Sequence, residues 1–127
     1  MGGTVSNNNF EIIQQCALEL ANSKGENTLI LDVRAMLDWT DYFIITTASS
    51  FTHLKGLLRT CEEFTAQHGI SSMRKPSLDD EDEWCLIDYG NFIVHIMSSK
   101  TRSFYDLESL WYKAAKIEVN PGTVEKN

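Results

Sequence analysis

The chain has 127 residues, of which 43% are apolar, and its formal net charge at neutral pH is −7. This length suits one domain with its own buried core and excludes a multidomain enzyme. No uncharged apolar run approaches the roughly 20 residues that span a bilayer, and the amino end carries neither a secretory nor a transit signal. We therefore predict a cytoplasmic protein without a membrane segment.

The acidic balance bears on the kind of partner. Five consecutive acidic residues, at positions 79–83, carry most of the excess negative charge, and we expect them to form a solvated loop. Binding to a phosphate backbone requires clustered Lys and Arg, which this chain lacks. We expect little direct contact with RNA and a basic protein as the easier partner.

The three cysteines, Cys16, Cys61 and Cys85, lie far apart and have no Cys-x-x-Cys spacing. Each stands where an apolar residue is expected, which predicts reduced thiols in the core. Together with the three His residues they form neither a zinc-binding pattern nor a nucleophile constellation. We predict no metal and no cofactor.

Helical spacing of apolar residues predicts a first helix from Asn8 to Lys24. Asn8 and Glu11 are placed as a capping box, and Gly25 is placed as the C′ residue. A short run rich in Leu, Ile and Val then predicts an inner strand over residues 28–33, covered on both faces.

The next segment predicts a second strand and a second helix. A turn at 38–41 precedes a run of aromatic and β-branched residues over 42–48, which is typical of a strand. Ser49 or Ser50 then offers an N-cap for an amphipathic helix that ends near His68.

Residues 73–75 predict a short edge strand that is stopped by Pro76. Two further strands are predicted over 84–89 and 92–97. The two residues between them, Gly90 and Asn91, are a known signal for a two-residue hairpin turn.

Near the carboxyl end, Ser103 and Asp106 predict a second capping box in front of a short helix. The chain is thus divided into a flexible amino terminus (1–8), one domain (9–117) and a flexible carboxyl-terminal tail (118–127).

A two-residue turn fixes which hairpin residues share a face, although a turn one residue longer would change both faces. One face is apolar and is predicted to be core: Cys85, Ile87, Tyr89, Phe92, Val94 and Ile96. The other face mixes large apolar groups with ionisable ones: Trp84, Leu86, Asp88, Ile93, His95 and Met97. The second face suits a protein-binding patch, and it equally suits packing under another helix.

Four groups of residues, in order along the chain, resemble those of the ribosomal silencing factor family, also called Iojap-like. They are Leu31-Asp32-Val33-Arg34, then Thr40-Asp41-Tyr42-Phe43, then Asp88-Tyr89-Gly90 with Val94-His95, and then Phe104-Tyr105-Asp106-Leu107-Glu108 with Leu110 and Trp111. The resemblance spans roughly residues 9 to 112.

This resemblance implies an α/β fold in which a mixed β-sheet is flanked by helices, similar to the fold of nucleotidyltransferases. It also implies a function in binding. Members of the family bind the large ribosomal subunit through its fourteenth protein and sterically block joining of the small subunit. Translation is thereby repressed when nutrients are limiting.

We predict partner-binding roles for residues on or just after the hairpin strands: Trp84, Asp88, His95, Met97, Lys100, Arg102 and Tyr105. Apolar and aromatic side chains would anchor the partner, and Asp88 with the acidic run would meet its basic groups. Two alternatives stay open at this point. His95 is otherwise a core histidine bonded to Asp88 or Asp106, and Tyr105 otherwise pins the last helix to the core.

Two rival functions remain. A metal-dependent nucleotidyltransferase needs carboxylates at alternate strand positions, but Asp88 has Leu86 and Gly90 as its alternate neighbours and Asp32 is followed by Arg34. We therefore predict that the protein is not an enzyme. The second rival is an adaptor that forms a homodimer through the same patch and binds another partner.

Overall fold

In the computed structural model, which describes residues 2–79 and 83–122, six strands form one mixed sheet flanked by helices. The helices are α1 (Gly2–Asn22), α2 (Phe51–Gln67), α3 (Ser99–Tyr105) and α4 (Leu107–Leu110). The strands are β1 (Glu26–Asp32), β2 (Tyr42–Ala48), β3 (Ser77–Asp79), β4 (Trp84–Asp88), β5 (Phe92–Ser98) and β6 (Ala115–Glu118). Their order across the sheet is β3-β4-β5-β2-β1-β6. The predicted α/β class is confirmed.

Only the central pair, β2 and β5, is parallel; the other neighbouring strands are antiparallel. All seven residues of β2 are buried, because helices α1 and α2 cover one face and the carboxyl-terminal segment covers the other. The predictions of an inner first strand and of a second strand over 42–48 are confirmed. None of the helices in the described part of the chain is long and apolar enough to cross a membrane.

Helix α1 begins at Gly2, so the prediction that it begins at Asn8 is wrong. Asn is more frequent at helix caps than in helix interiors, which favours Asn8 as the cap. The predicted start of α1 is therefore too late in the chain. The helix ends in a Schellman motif, in which the Gly25 N–H donates to the Leu20 carbonyl at 2.9 Å. The left-handed residue is Lys24, with φ of 74°, so the prediction of Gly25 at C′ is wrong by one position.

Gly25 is needed for close approach of the chain to strand β2. A Cβ atom at Gly25 would overlap Thr46 Oγ1 and would lie 2.8 Å from the Leu20 carbonyl oxygen. Thr46 Oγ1 is itself held by a 2.7 Å hydrogen bond with Thr28 Oγ1. The site therefore has no room for a side chain.

Helix α2 begins as predicted. The Ser50 side chain is the N-cap and accepts from the His53 N–H at 3.0 Å. The helix ends at Gln67 and buries one apolar stripe against the sheet: Leu54, Leu57, Cys61 and Phe64.

The predicted edge strand at 73–75 is wrong, because strand β3 lies after Pro76, at Ser77–Asp79. Proline cannot donate to a ladder, so it is tolerated just before the strand. The Met73 N–H still donates to the Asp88 carbonyl at 2.6 Å. Of the predicted acidic loop, residues 80–82 lie outside the described residues, and Glu83 adopts φ of 54°.

The hairpin of β4 and β5 has the predicted register. Trp84 pairs with Met97, Leu86 with His95 and Asp88 with Ile93. The turn closes through the Tyr89 N–H, which donates to the Phe92 carbonyl at 3.0 Å, and Gly90 supplies the positive φ of 88°. The apolar face of the hairpin packs against α1 and α2, as predicted.

The carboxyl-terminal prediction is wrong in two respects. Ser103 lies inside α3, whose N-cap is Ser98, while Asp106 caps α4 and accepts from the Ser109 N–H. Strand β6, which pairs with β1, was also not predicted. Its residues are mostly exposed, so they lack the apolar alternation that marks a strand. Residues 123–127 lie outside the described residues.

Substitution Gly25→Ala should lower the free energy of unfolding by roughly 2 kcal/mol, because overpacking beside backbone forces a rearrangement. The matched control is Gly56→Ala. Gly56 lies inside α2, and a Cβ there would meet nothing within 4 Å. This change should raise stability by about 0.5–1 kcal/mol through helix propensity. Urea unfolding of both variants measures the contrast, and equal stabilities would contradict the close approach at Gly25.

Candidate functional site

An array of aromatic rings runs from the surface to the interior on the sheet face opposite α1 and α2. Neighbouring ring centroids are 4.8 to 5.8 Å apart, the spacing at which aromatic pairs attract. We call this array the aromatic row, and its members in order are Phe104, Tyr105, Trp84, His95, Phe43 and Trp111. Strand β4 supplies Trp84, and helix α3 supplies the two outer rings.

The outer end of the aromatic row is exposed. Phe104 is 78% exposed and Tyr105 is 46% exposed, while Trp84 and Leu86 beside them are half-buried. The Ser98 cap turns the chain from β5 directly into α3, and this places the Tyr105 ring against Trp84 of β4, with Phe104 next to Tyr105. Exposed aromatic groups next to a half-buried apolar surface are typical of a protein-binding site.

The middle of the row contains His95, which is only 5% exposed. Its Nδ1 accepts from Trp84 Nε1 at 3.2 Å, so the ring proton of the neutral form lies on Nε2, which has no hydrogen-bond partner among residues 2–79 and 83–122. Burial lowers the pKa of His95 to about 4, and the ring is neutral at physiological pH. The alternative that His95 bonds to Asp88 or Asp106 is wrong, since Trp84 is its partner.

Met97 is fully buried beside Trp84, its partner across the hairpin. Neither Met97 nor His95 offers contact area to another molecule in this conformation. Both side chains instead pack in the interior beside Trp84, which is the packing alternative that the sequence left open. The structure thus brings together four of the predicted residues: Trp84, His95, Met97 and Tyr105.

The remaining predicted residues have other surroundings. The Asp88 carboxylate accepts from the Gly90 N–H at 2.9 Å and shapes the hairpin turn. Arg102 is buried, where it donates to Thr47 Oγ1 and Glu108 Oε2, both at 2.9 Å. It ties α3 to β2 and α4. Lys100 is exposed in the first turn of α3.

Sequence reasoning missed Phe104, the most exposed ring of the row. The capping box predicted at Ser103 and Asp106 puts Phe104 in the first turn of a helix, but it does not indicate which surroundings the Phe104 ring would have. The Ser98–Thr101 spacing was the available signal, because Ser98 Oγ accepts from the Thr101 N–H at 3.1 Å and starts the helix early. Leu110, the last residue of α4, and Tyr112, which follows it, are further exposed apolar side chains.

The structure offers little for metal or cofactor chemistry. Within residues 2–79 and 83–122, no three His, Cys, Asp or Glu side chains cluster as metal ligands would. Asp32 is paired with Arg34 at 2.8 Å, and this hydrogen bond lowers the pKa of its carboxyl. A groove of about 860 Å³ beside β1 is lined by side chains of both charges, including Lys24, Glu26 and Arg102.

The fold is that of an α/β domain in which one face of a mixed sheet carries a partly exposed aromatic row. The family described as "Ribosomal silencing factor during starvation" matches residues 6–127 of the chain. The chain belongs to this family, as its motifs predicted.

Named relatives agree with this assignment. The "Ribosomal silencing factor RsfS" of Treponema pallidum is 33% identical over 72% of this chain and 82% of its own length. The protein of the same name from Bacillus subtilis is 29% identical over 91% of this chain and 97% of its own length. The mouse "Mitochondrial assembly of ribosomal large subunit protein 1" is 27% identical over 72% of this chain, which spans 41% of that longer protein.

Solved structures carry the same fold. A crystal structure of a protein from Chromobacterium violaceum superimposes with a TM-score of 0.75 at 26% sequence identity, covering 80% of this chain and 84% of that one. The bacterial relatives are named as ribosomal silencing factors.

Acid should destabilise the fold through His95. Its pKa is about 4 in the folded chain and about 6.5 in an unfolded one, so the unfolded chain binds the proton more tightly. The stability present near neutral pH is therefore lost as the pH falls through this window, by about 2 kcal/mol between roughly pH 7 and 4.5.

The variant His95→Gln keeps an acceptor for Trp84 and has no titrating ring. Urea unfolding at several pH values should show a smaller loss of stability in acid for this variant than for the unchanged chain. Equal acid sensitivity of the two proteins would show that His95 is not the titrating group.

Proposed function

We propose that this chain binds the fourteenth protein of the large ribosomal subunit and sterically blocks joining of the small subunit, repressing translation under nutrient limitation. The observation that carries the proposal is the exposed end of the aromatic row in a chain of the silencing factor family. The protein acts in the cytoplasm and uses no catalysis.

The contact surface consists of Phe104, Tyr105, Trp84 and Leu86, with Lys100 at its margin. Phe104 and Tyr105 supply apolar area that the partner desolvates, and such aromatic groups dominate binding energies in protein interfaces. His95 and Met97, the hydrogen-bond and cross-strand partners of Trp84, hold its side chain in position. The contact surface therefore has its shape before the partner binds.

The net charge of the protein steers its approach to the ribosome. The net charge of −7 favours approach to a basic protein and opposes close contact with the surrounding RNA. The acidic run at 79–83 begins at Asp79, the last residue of the edge strand β3, which pairs with Trp84. We expect it to face basic side chains of the ribosomal protein, while Asp88 keeps the turn in place.

The large subunit as partner has support among the relatives, since the mouse protein's name places that protein in assembly of the ribosomal large subunit. A rigid domain seated where the two subunits meet needs no chemistry to prevent their joining. Its effect follows from the occupied fraction of its site, which depends on affinity and concentration.

Substitution Phe104→Ala should weaken binding to purified large subunits roughly tenfold, which corresponds to about 1.4 kcal/mol. Because Phe104 is largely exposed, the urea midpoint should stay unchanged. Trp39→Ala is the matched control: its ring is 60% exposed but belongs to the connection between β1 and β2. Cosedimentation with large subunits measures both variants. Equal losses, or a loss only in Trp39→Ala, would place the interface elsewhere.

Purified large and small subunits should fail to join when this protein is present in excess, and the Phe104→Ala variant should need a higher concentration for the same effect. Sucrose-gradient sedimentation measures the joined fraction. Undiminished joining at saturating protein would contradict the steric mechanism.

Measuring the size of the free protein in solution tests the alternative function as a homodimeric adaptor, because a dimer would bury the same surface against a second copy.

A further inference from the structure

Two cysteine side chains face each other in the core between α1 and α2. Cys16 Sγ and Cys61 Sγ are 3.8 Å apart, both residues are fully buried, and both thiols are free. This pair lies on the sheet face opposite the aromatic row, so the proposed ribosomal contact does not use it.

The surroundings of the two sulfurs differ. A hydrogen bond joins the Cys16 and Cys61 thiols, and the Tyr89 hydroxyl lies 3.5 Å from the Cys61 sulfur. These hydrogen bonds lower the pKa of Cys61, whereas the hydrogen bond with Cys61 and burial raise the pKa of Cys16. Cys61 is therefore the thiol that more readily becomes a nucleophilic thiolate.

We propose that Cys16 and Cys61 are a redox-sensitive pair, which hydrogen peroxide converts into a disulfide that links α1 to α2. A disulfide bond is about 2 Å long, so the two sulfurs must approach each other by a little under 2 Å from their present separation. Side-chain rotation with a small shift of two adjacent helices supplies such a movement.

The chemistry balances without a metal or a second enzyme. The Cys61 thiolate attacks one peroxide oxygen, so a sulfur–oxygen bond forms, the oxygen–oxygen bond breaks and hydroxide leaves. The Cys16 sulfur then attacks the sulfenic sulfur of Cys61, the sulfur–sulfur bond forms and a second hydroxide leaves. Both thiol protons end in water. The thiols lose two electrons in total, and one peroxide is reduced to two waters.

The link would act on stability. The chain between Cys16 and Cys61 contains β1 and β2, so the crosslink closes a loop around two inner strands. Such a loop restricts the unfolded chain more than the folded one. Oxidation should therefore make the fold harder to unfold.

Cys85 provides an internal control. It is buried in the same core, and burial raises the pKa of its thiol to about 12, so it stays protonated.

In the experiment, the full reduced chain is oxidised with hydrogen peroxide, the reaction is quenched, and the remaining thiols are alkylated under denaturing conditions. The mass of the intact chain then gives the number of alkylated thiols and the number of hydrogens lost.

The unchanged chain should lose two hydrogens and two of its three alkylatable thiols, and its urea midpoint should rise and return after treatment with dithiothreitol. Cys85→Ser should lose the same two hydrogens, whereas Cys16→Ser and Cys61→Ser should not. Three alkylatable thiols after oxidation, or an unchanged urea midpoint, would overturn the proposal. Peptide mapping of the oxidised unchanged chain decides the pairing even where a variant fails to fold: a Cys16–Cys61 link supports it, and any link to Cys85 or between chains overturns it.

Discussion

The parallel pairing of β2 with β5 is the constraint on which the rest of the structure depends. Seven aligned residue pairs join these strands at the centre of the sheet, and both strands are buried almost throughout. A buried pair of this kind needs cover on both faces. Helices α1 and α2 cover one face completely, but the short helices α3 and α4 with their flanking segments cover the other face only in part.

The incomplete cover determines where the protein can bind. Toward β1 and β2 the second face is closed by Trp111, Leu107 and the connection that follows β1. Toward β4, within the described residues, Trp84 and Leu86 are half-buried and the Tyr105 ring of α3 packs against Trp84. The contact surface that we propose is therefore the part of this face that the described residues cover least.

Buried polar groups hold this arrangement in one geometry. The indole N–H of Trp84 is satisfied by neutral His95, and Arg102 is satisfied by Thr47 and Glu108. Each bond joins two different elements of the fold, so each is lost if α3 or the hairpin shifts. Burying the Arg102 guanidinium beside the Glu108 carboxylate costs desolvation free energy. The ion pair contributes here by fixing the position of α3.

The sequence by itself determined the inner strands, the second helix, the place of the hairpin turn and the family, because these depend on local apolar spacing, turn residues and short motifs. The hairpin register was decided by the structure. Helix starts at Asn8 and Ser103 were predicted wrongly, since capping residues are ambiguous when several lie close together. Strand β6 has no signal of its own and exists through its pairing with β1. Only the tertiary structure decided which hairpin side chains reach the surface. Exposure of Phe104 and burial of Met97 and His95 depend on where α3 packs, and that contact joins segments whose spatial relation no local pattern encodes.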